Sequence, residues 1–148
     1  MLLIGTKNTN TQTVLADGTI DIGSVYRKYC KKNSCCVSTF SRTSTDITLQ
    51  QSGIYHVTAT FVGTGESAGN LTVQLLENGV VVPGALSTET ITTPTTEIHT
   101  FVIDYYIIVD CDNVLGNNSV VSKTISFENA STIDATFTNV VVNITKEV

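Results

Sequence analysis

The chain contains no tryptophan, one methionine and only two histidines in 148 residues. Two histidines leave little material for acid–base chemistry, and His56 and His99 both fall on the polar face of alternating runs. An imidazole in that position is ordinarily a surface or interface residue. G-x-S-x-G, H-E-x-x-H and phosphate-cradling glycine patterns are missing as well, so no enzyme is expected. Charged residues make up 14%, well below the usual quarter. Disorder is excluded with them, because disordered chains combine high charge with few β-branched residues. The net charge of −5 speaks against nucleic acid, whose phosphates need a positive field. No apolar run approaches the ~20 residues of a membrane helix, so no membrane partner is expected. The opening MLLIGTKN has neither a basic start nor a long apolar stretch, and is not expected to act as a secretory signal. Helical spacing of apolar residues fails nearly everywhere, and there is no tandem repeat.

What is present is alternation. In GIYHVTATF, Tyr55, Val57, Ala59 and Phe61 fall on one side, and His56, Thr58 and Thr60 on the other. Leu71, Val73 and Leu75 alternate with Thr72 and Gln74, and this second run ends in Asn78-Gly79. Successive strand side chains point to opposite faces, so these are strands with one buried side. Asn-Gly reaches positive φ cheaply, as a tight hairpin requires. Further strands are expected at Leu2–Ile4, Thr11–Leu15, Thr19–Val25, Val37–Phe40, Asp46–Leu49, Val80–Val82, Ser87–Thr92, Glu97–Val109, Ser119–Glu128 and Ala135–Thr145. Asp17-Gly18, Ser52-Gly53, Gly63-Thr64-Gly65, Pro83-Gly84, Thr93-Pro94 and Gly116-Asn117-Asn118 read as the turns between them. The pattern predicts an all-β, two-sheet antiparallel sandwich. Its core is expected to hold Tyr55, Val57, Phe61, Leu71, Val73, Leu75, Ile125, Phe127, Val140, Val142 and Ile144.

One run is apolar on both sides. In FVIDYYIIVD, Phe101, Ile103, Tyr105, Ile107 and Val109 face one way, and Val102, Tyr106 and Ile108 the other, broken by Asp104. A strand apolar on both faces is covered on both. The opposite sheet covers only the inner face. A neighbouring subunit is the simplest cover for the outer one, with Tyr106, Ile108 and Val102 as its contacts, and an overlying loop is the alternative.

Gly53-Ile54-Tyr55 opening a long strand, Val73–Gly79 closing a hairpin and the final Ala135–Val142 strand occur in order. Together they resemble the G-x-Y, V-x-L-x-x-N-G and S/T-x-F-x-G-hydrophobic pattern of the complement globular-head and tumour-necrosis-factor superfamily. Asn139 stands where that pattern has glycine. The resemblance covers the chain from about Asp46 onward and implies a ten-stranded jelly roll that forms a homotrimer. The N-terminal TNTQTVLADGTIDIGSVYRKYC resembles, in turn, small structural proteins of bacteriophages of gut bacteria. That implies a virion location after synthesis in the host bacterial cytoplasm, with other virion proteins as partners, as a capsid decoration, head fibre or fibre tip. A fibre tip would bind a bacterial surface glycan near Gly63–Asn70 or Pro83–Ser87. A hydrolase of envelope polymers would need clustered carboxylates, and Glu66, Glu77, Glu89 and Glu97 all lie at turns or strand ends.

Residues 1–36 read as N-terminal strands followed by a cysteine-rich, basic segment, and 37–148 as the sandwich, one domain overall. Arg27, Lys28, Lys31 and Lys32 form a basic patch, with Tyr26 and Tyr29, that could attach the domain to an acidic surface or simply be solvated. For Cys30, Cys35, Cys36 and Cys111 three readings stay open. These are a zinc site with His56 or His99, a disulfide (Cys30–Cys35 or Cys36–Cys111), and free thiols. Asp110, Asp112 and Asn113 offer oxygens for calcium, or form an ordinary turn. No cofactor is expected otherwise. Asn-x-Ser/Thr triplets at Asn70, Asn117, Asn129 and Asn143 matter only on a eukaryotic secretory route.

Overall fold

A computed structural model describes residues 2–29, 40–112 and 119–148, and these contain strands and no helix. The strands are β1 (Leu2–Asn8), β2 (Gln12–Val14), β3 (Ser24–Tyr29), β4 (Phe40–Arg42), β5 (Asp46–Leu49), β6 (Gly53–Gly65) and β7 (Gly69–Glu77). They continue with β8 (Val80–Ile91), β9 (His99–Val109), β10 (Cys111–Asp112), β11 (Ser119–Val120), β12 (Lys123–Asn129) and β13 (Ala135–Lys146). One sheet runs β3-β1-β13-β6-β9, with β2 joined to β13, and the other runs β4-β5-β12-β7-β8. Every pairing is antiparallel. These six- and five-stranded sheets form the jelly-roll sandwich that the motifs imply.

Between the sheets lies one apolar core. All eleven core residues expected from alternation are at most 1% exposed. Phe61, Phe127, Phe137 and Phe101 meet edge to face, with centroids 5.2–6.2 Å apart. Edge-on contact sets the positive rim of one ring against the negative face of the next. Tyr55 is buried with its hydroxyl donating to Gln51 O at 2.7 Å. Burial pushes that phenol up to about 12, against the smaller opposite pull of the Gln51 bond.

Some boundaries differ from the sequence reading, each for a local reason. Gly63-Thr64-Gly65 is the end of β6 and pairs with Ala135–Phe137. A Cβ at Gly63 would sit 2.3 Å from Thr136 O, so glycine there permits close backbone approach rather than a turn. Opposite it β13 is irregular: Phe137 pairs with Gly63 and Asn139 with Val62, leaving Thr138 as the extra residue of a bulge. Pro83-Gly84 is likewise inside a strand. Gln74 pairs with Leu86 and Leu76 with Val81, so the segment around Pro83 and Gly84 swells into a wide bulge of β8. Thr19–Val25 is not a continuous strand. Thr19 bridges to Glu128, and Ile20 and Ile22 are fully buried. Asp21 N–H, however, bonds to the Gln12 side chain at 2.9 Å instead of to a strand backbone. Ser119–Glu128 divides into β11, which pairs with β10, and β12, which joins the second sheet. The Asn78-Gly79 turn forms as expected, with φ of 52° and 75°.

The N-terminal segment is stitched into the sandwich. β1 pairs with β13 over seven residues, and β2 pairs with Ala135–Phe137 of the same strand. β1, β2 and β3 therefore share one sheet with β13, β6 and β9.

Candidate functional site on the outer face of β9

β6 and β9 pair over eleven residues, from Gly53↔Val109 to Gly63↔His99. Phe101, Ile103, Ile107 and Val109 point into the core and are at most 2% exposed. Val102, Tyr106 and Ile108 point outward and are 55%, 57% and 53% exposed. Ile54, directly opposite Ile108, is 38% exposed and extends the strip onto β6. The described residues of the same chain do not lie over it as an enclosing loop. β9 is also the edge of its sheet, so one flank of its backbone lacks a strand partner.

The charge that interrupts the strip is answered within it. His56 Nε2 lies 2.6 Å from Asp104 Oδ1. The imidazole stacks on the Tyr106 ring at 4.6 Å between centroids and 14° between planes. Register produces this arrangement, because His56 stands opposite Tyr106 and Thr58 opposite Asp104 on the same outward face. The three side chains form one contiguous cluster on the outward face.

The solvent side of the other sheet is different in kind. Thr72 and Thr88 hydroxyls lie 2.7 Å apart, Thr48 and Thr124 2.9 Å apart, and Thr90 donates to Asn70 Oδ1 at 3.0 Å. That face presents hydroxyl and amide groups whose hydrogen bonds are largely exchanged with each other. At the β7–β8 hairpin it turns aliphatic, around Val80, Val81 and Pro83, where a shallow depression of about 240 Å³ lies.

The remaining candidate residues are scattered. His99 sits between two carboxylates, with Nδ1 3.6 Å from Glu89 and Nε2 3.5 Å from Glu97. Glu97 also accepts from the Thr92 N–H and hydroxyl, and these bonds hold its carboxyl below the ordinary value of 4.5. Glu77 pairs with Lys123 at 2.7 Å, and Glu66 accepts from the Thr136 hydroxyl. The four glutamates thus serve turns and strand ends. Ten residue steps along extended β9 separate His99 from Val109, about 33 Å at ~3.3 Å per step. His99 thus lies at the opposite end of β9 from the Cys111 segment. Cys30, Cys35, Cys36, Lys31, Lys32 and Asn113 lie outside the described residues, while Asp110 uses its carbonyl to accept from Val121 N–H at 3.2 Å. Alternation puts Arg27 and Lys28 on opposite faces of β3, because Arg27 pairs with Gly5 and Lys28 with Ile4. Neither Gly63–Asn70 nor Pro83–Ser87 contains an aromatic residue. The exposed tyrosines are Tyr26, Tyr29 and Tyr106.

Sequence patterns did not single out Asn129. It is fully buried, and its Nδ2 lies 2.8 Å from Ile133 O and 3.3 Å from both Val14 O and Leu15 O. Its Oδ1 accepts from Ser131 N–H at 3.2 Å. It locks the β2 turn onto the β12–β13 connection, and its Asn-x-Ser/Thr triplet is incidental. Only the position of an amide at a strand end hinted at this.

No protein-family model and no curated protein matches the sequence. Solved structures do match it in three dimensions. The globular domain of the zebrafish complement 1qA protein superposes with a TM-score of 0.65 at 9% identity, covering 100% of this chain and 98% of that one. Eiger TNF from S. frugiperda gives 0.63 at 10% identity, with 100% and 94% covered. Rabbit GITRL gives 0.51 at 13% identity, with 100% and 95% covered. The whole chain has the complement-head and TNF-like jelly-roll fold.

Proposed function

We propose that this chain is a non-enzymatic structural protein of a bacteriophage virion, a capsid decoration or head-fibre component that assembles as a homotrimer. The observation behind it is the strip of Val102, Tyr106 and Ile108 on the outer face of an edge strand, half exposed in the single chain. Fully burying one such side chain contributes ~1.5–3 kcal/mol, so the strip favours association with a sister copy. The His56–Asp104 pair supports the same reading, since a charge facing a subunit seam is tolerated only with a partner beside it. The threonine- and asparagine-lined second sheet then faces outward as a neutral surface. The jelly-roll fold and the resemblance of the N-terminal segment to phage structural proteins support placing the trimer on a particle.

The particle role is tested on purified phage from a strain that carries this gene. Antibody raised against the chain should decorate intact particles at regular positions on the head, and the chain should co-purify in fixed ratio with the capsid protein. Label confined to the tail tip would favour the receptor-binding reading. Complete absence from purified particles would refute both.

A further inference from the structure

The sheet edge farthest from β9 carries a second built feature, on β3 and β1. Gly5 pairs with Arg27 and Thr6 with Val25, which leaves Tyr26 as the extra residue of a bulge. Bulges re-aim side chains. Here the Tyr26 ring is laid against Gly5, where any Cβ would stand 2.9 Å from Tyr26 Cε1. The phenol donates to Asn143 Oδ1 at 2.9 Å, which fixes the ring. Lys7 Nζ lies 5.5 Å and the Arg27 guanidinium carbon 5.4 Å from the ring centroid. One anchored aromatic thus gathers two cations. Among the described residues, neither cation has a carboxylate within ion-pair distance, although the chain carries a net charge of −5.

Lys7 also lines a cleft of about 320 Å³ together with Asn8, Asn10, Asp21, Ser24 and Ser44. That size is at the lower end of small-ligand sites. Its walls offer hydroxyls, amides and one carboxylate, and no large apolar side chain. Asp21 accepts from Gly23 N–H at 2.6 Å through one oxygen, leaving the other free for a ligand hydroxyl. A polyol matches such walls. A bare phosphate or a nucleic-acid backbone does not, because Asp21 repels it from the cleft. We infer that Lys7, Arg27 and the adjoining cleft form a subsite for an acidic saccharide, with its carboxylate on the two cations and its ring hydroxyls against Asn10, Ser24, Ser44 and Asp21. Four strand spacings of ~4.8 Å, about 19 Å in all, separate this site from the strip on β9. The inference therefore goes beyond the particle role and stands without it.

Isothermal titration calorimetry of the full chain at low ionic strength tests it, with tetragalacturonate, its fully methyl-esterified form, inorganic phosphate and a single-stranded oligonucleotide as probes. The acid should bind with a Kd of about 1 mM or tighter. The ester should bind at least about tenfold more weakly, and so should the Lys7→Gln/Arg27→Gln double variant toward the acid. Lys123→Gln on the other sheet should leave binding unchanged. Thermal unfolding by circular dichroism establishes that each variant is folded, as expected for exposed side chains. Equal binding of acid and ester, phosphate binding as tightly as the uronate, tighter binding of a single-stranded oligonucleotide, or no binding of the acid would each overturn the assignment.

Discussion

Asn129 is a polar side chain with no exposure, held by three carbonyls and one N–H. Replacing it with alanine strands those groups in the interior. Asn129→Ala should cost about 2–4 kcal/mol in urea unfolding, with no change in the dependence on urea concentration. Glu97 makes a pH-dependent contribution. Its folded carboxyl is held below 4.5 chiefly by Thr92, so the contribution is present above the unfolded value and is lost as pH falls through the folded one. Amide exchange at Thr92 should therefore lose protection selectively below about pH 4.5. Glu97→Gln should remove that pH dependence. Glu128 has the opposite sign, because partial burial and nearby Asp17 raise its carboxyl. Stability there falls as pH rises from the unfolded value through the folded one. Glu128→Gln should raise the melting temperature at pH 7 and leave it unchanged at pH 3.

At the level of strands, two glycines expected in turns lie inside sheets under opposite constraints. Gly63 has a carbonyl of β13 where its Cβ would be, whereas Gly84, at φ 83°, has nothing within 4 Å. Gly63→Ala should cost several-fold more stability than Gly84→Ala, for which the left-handed backbone alone sets a cost of about 1 kcal/mol. Chemical denaturation of the two variants side by side makes the comparison. The same contrast shows what was legible beforehand. Period-2 burial was readable across β6, β7, β9 and β13, because it depends only on the side-chain sequence. The bulges at Thr138, Tyr26 and Pro83 were not, because each depends on the strand alongside. The outward strip on β9 could be read from FVIDYYIIVD, yet its His56–Asp104–Tyr106 cluster could not, since it is a product of β6–β9 register. Likewise Lys7 and Arg27 are remote in sequence and both approach the same Tyr26 ring.

For the whole molecule, the two outer faces divide the labour: one hydroxyl-rich, the other bearing an apolar strip at one edge and a basic, tyrosine-centred site at the opposite edge. If the strip is the seam between copies, its single charge matters as much as its apolar groups. His56→Leu would leave Asp104 without its partner, and should weaken association by about tenfold or more while leaving monomer unfolding little changed. Tyr106→Ser with Ile108→Ser should abolish association outright, since neither side chain supports the core of its own chain. The most direct measurement is the mass of the purified wild-type protein by size-exclusion chromatography with multi-angle light scattering at micromolar concentration. A trimer of the 15.9 kDa chain, about 48 kDa, is predicted, falling to the single-chain mass in the Tyr106→Ser/Ile108→Ser variant. A wild-type mass near 16 kDa, or a trimer indifferent to that double substitution, would contradict it.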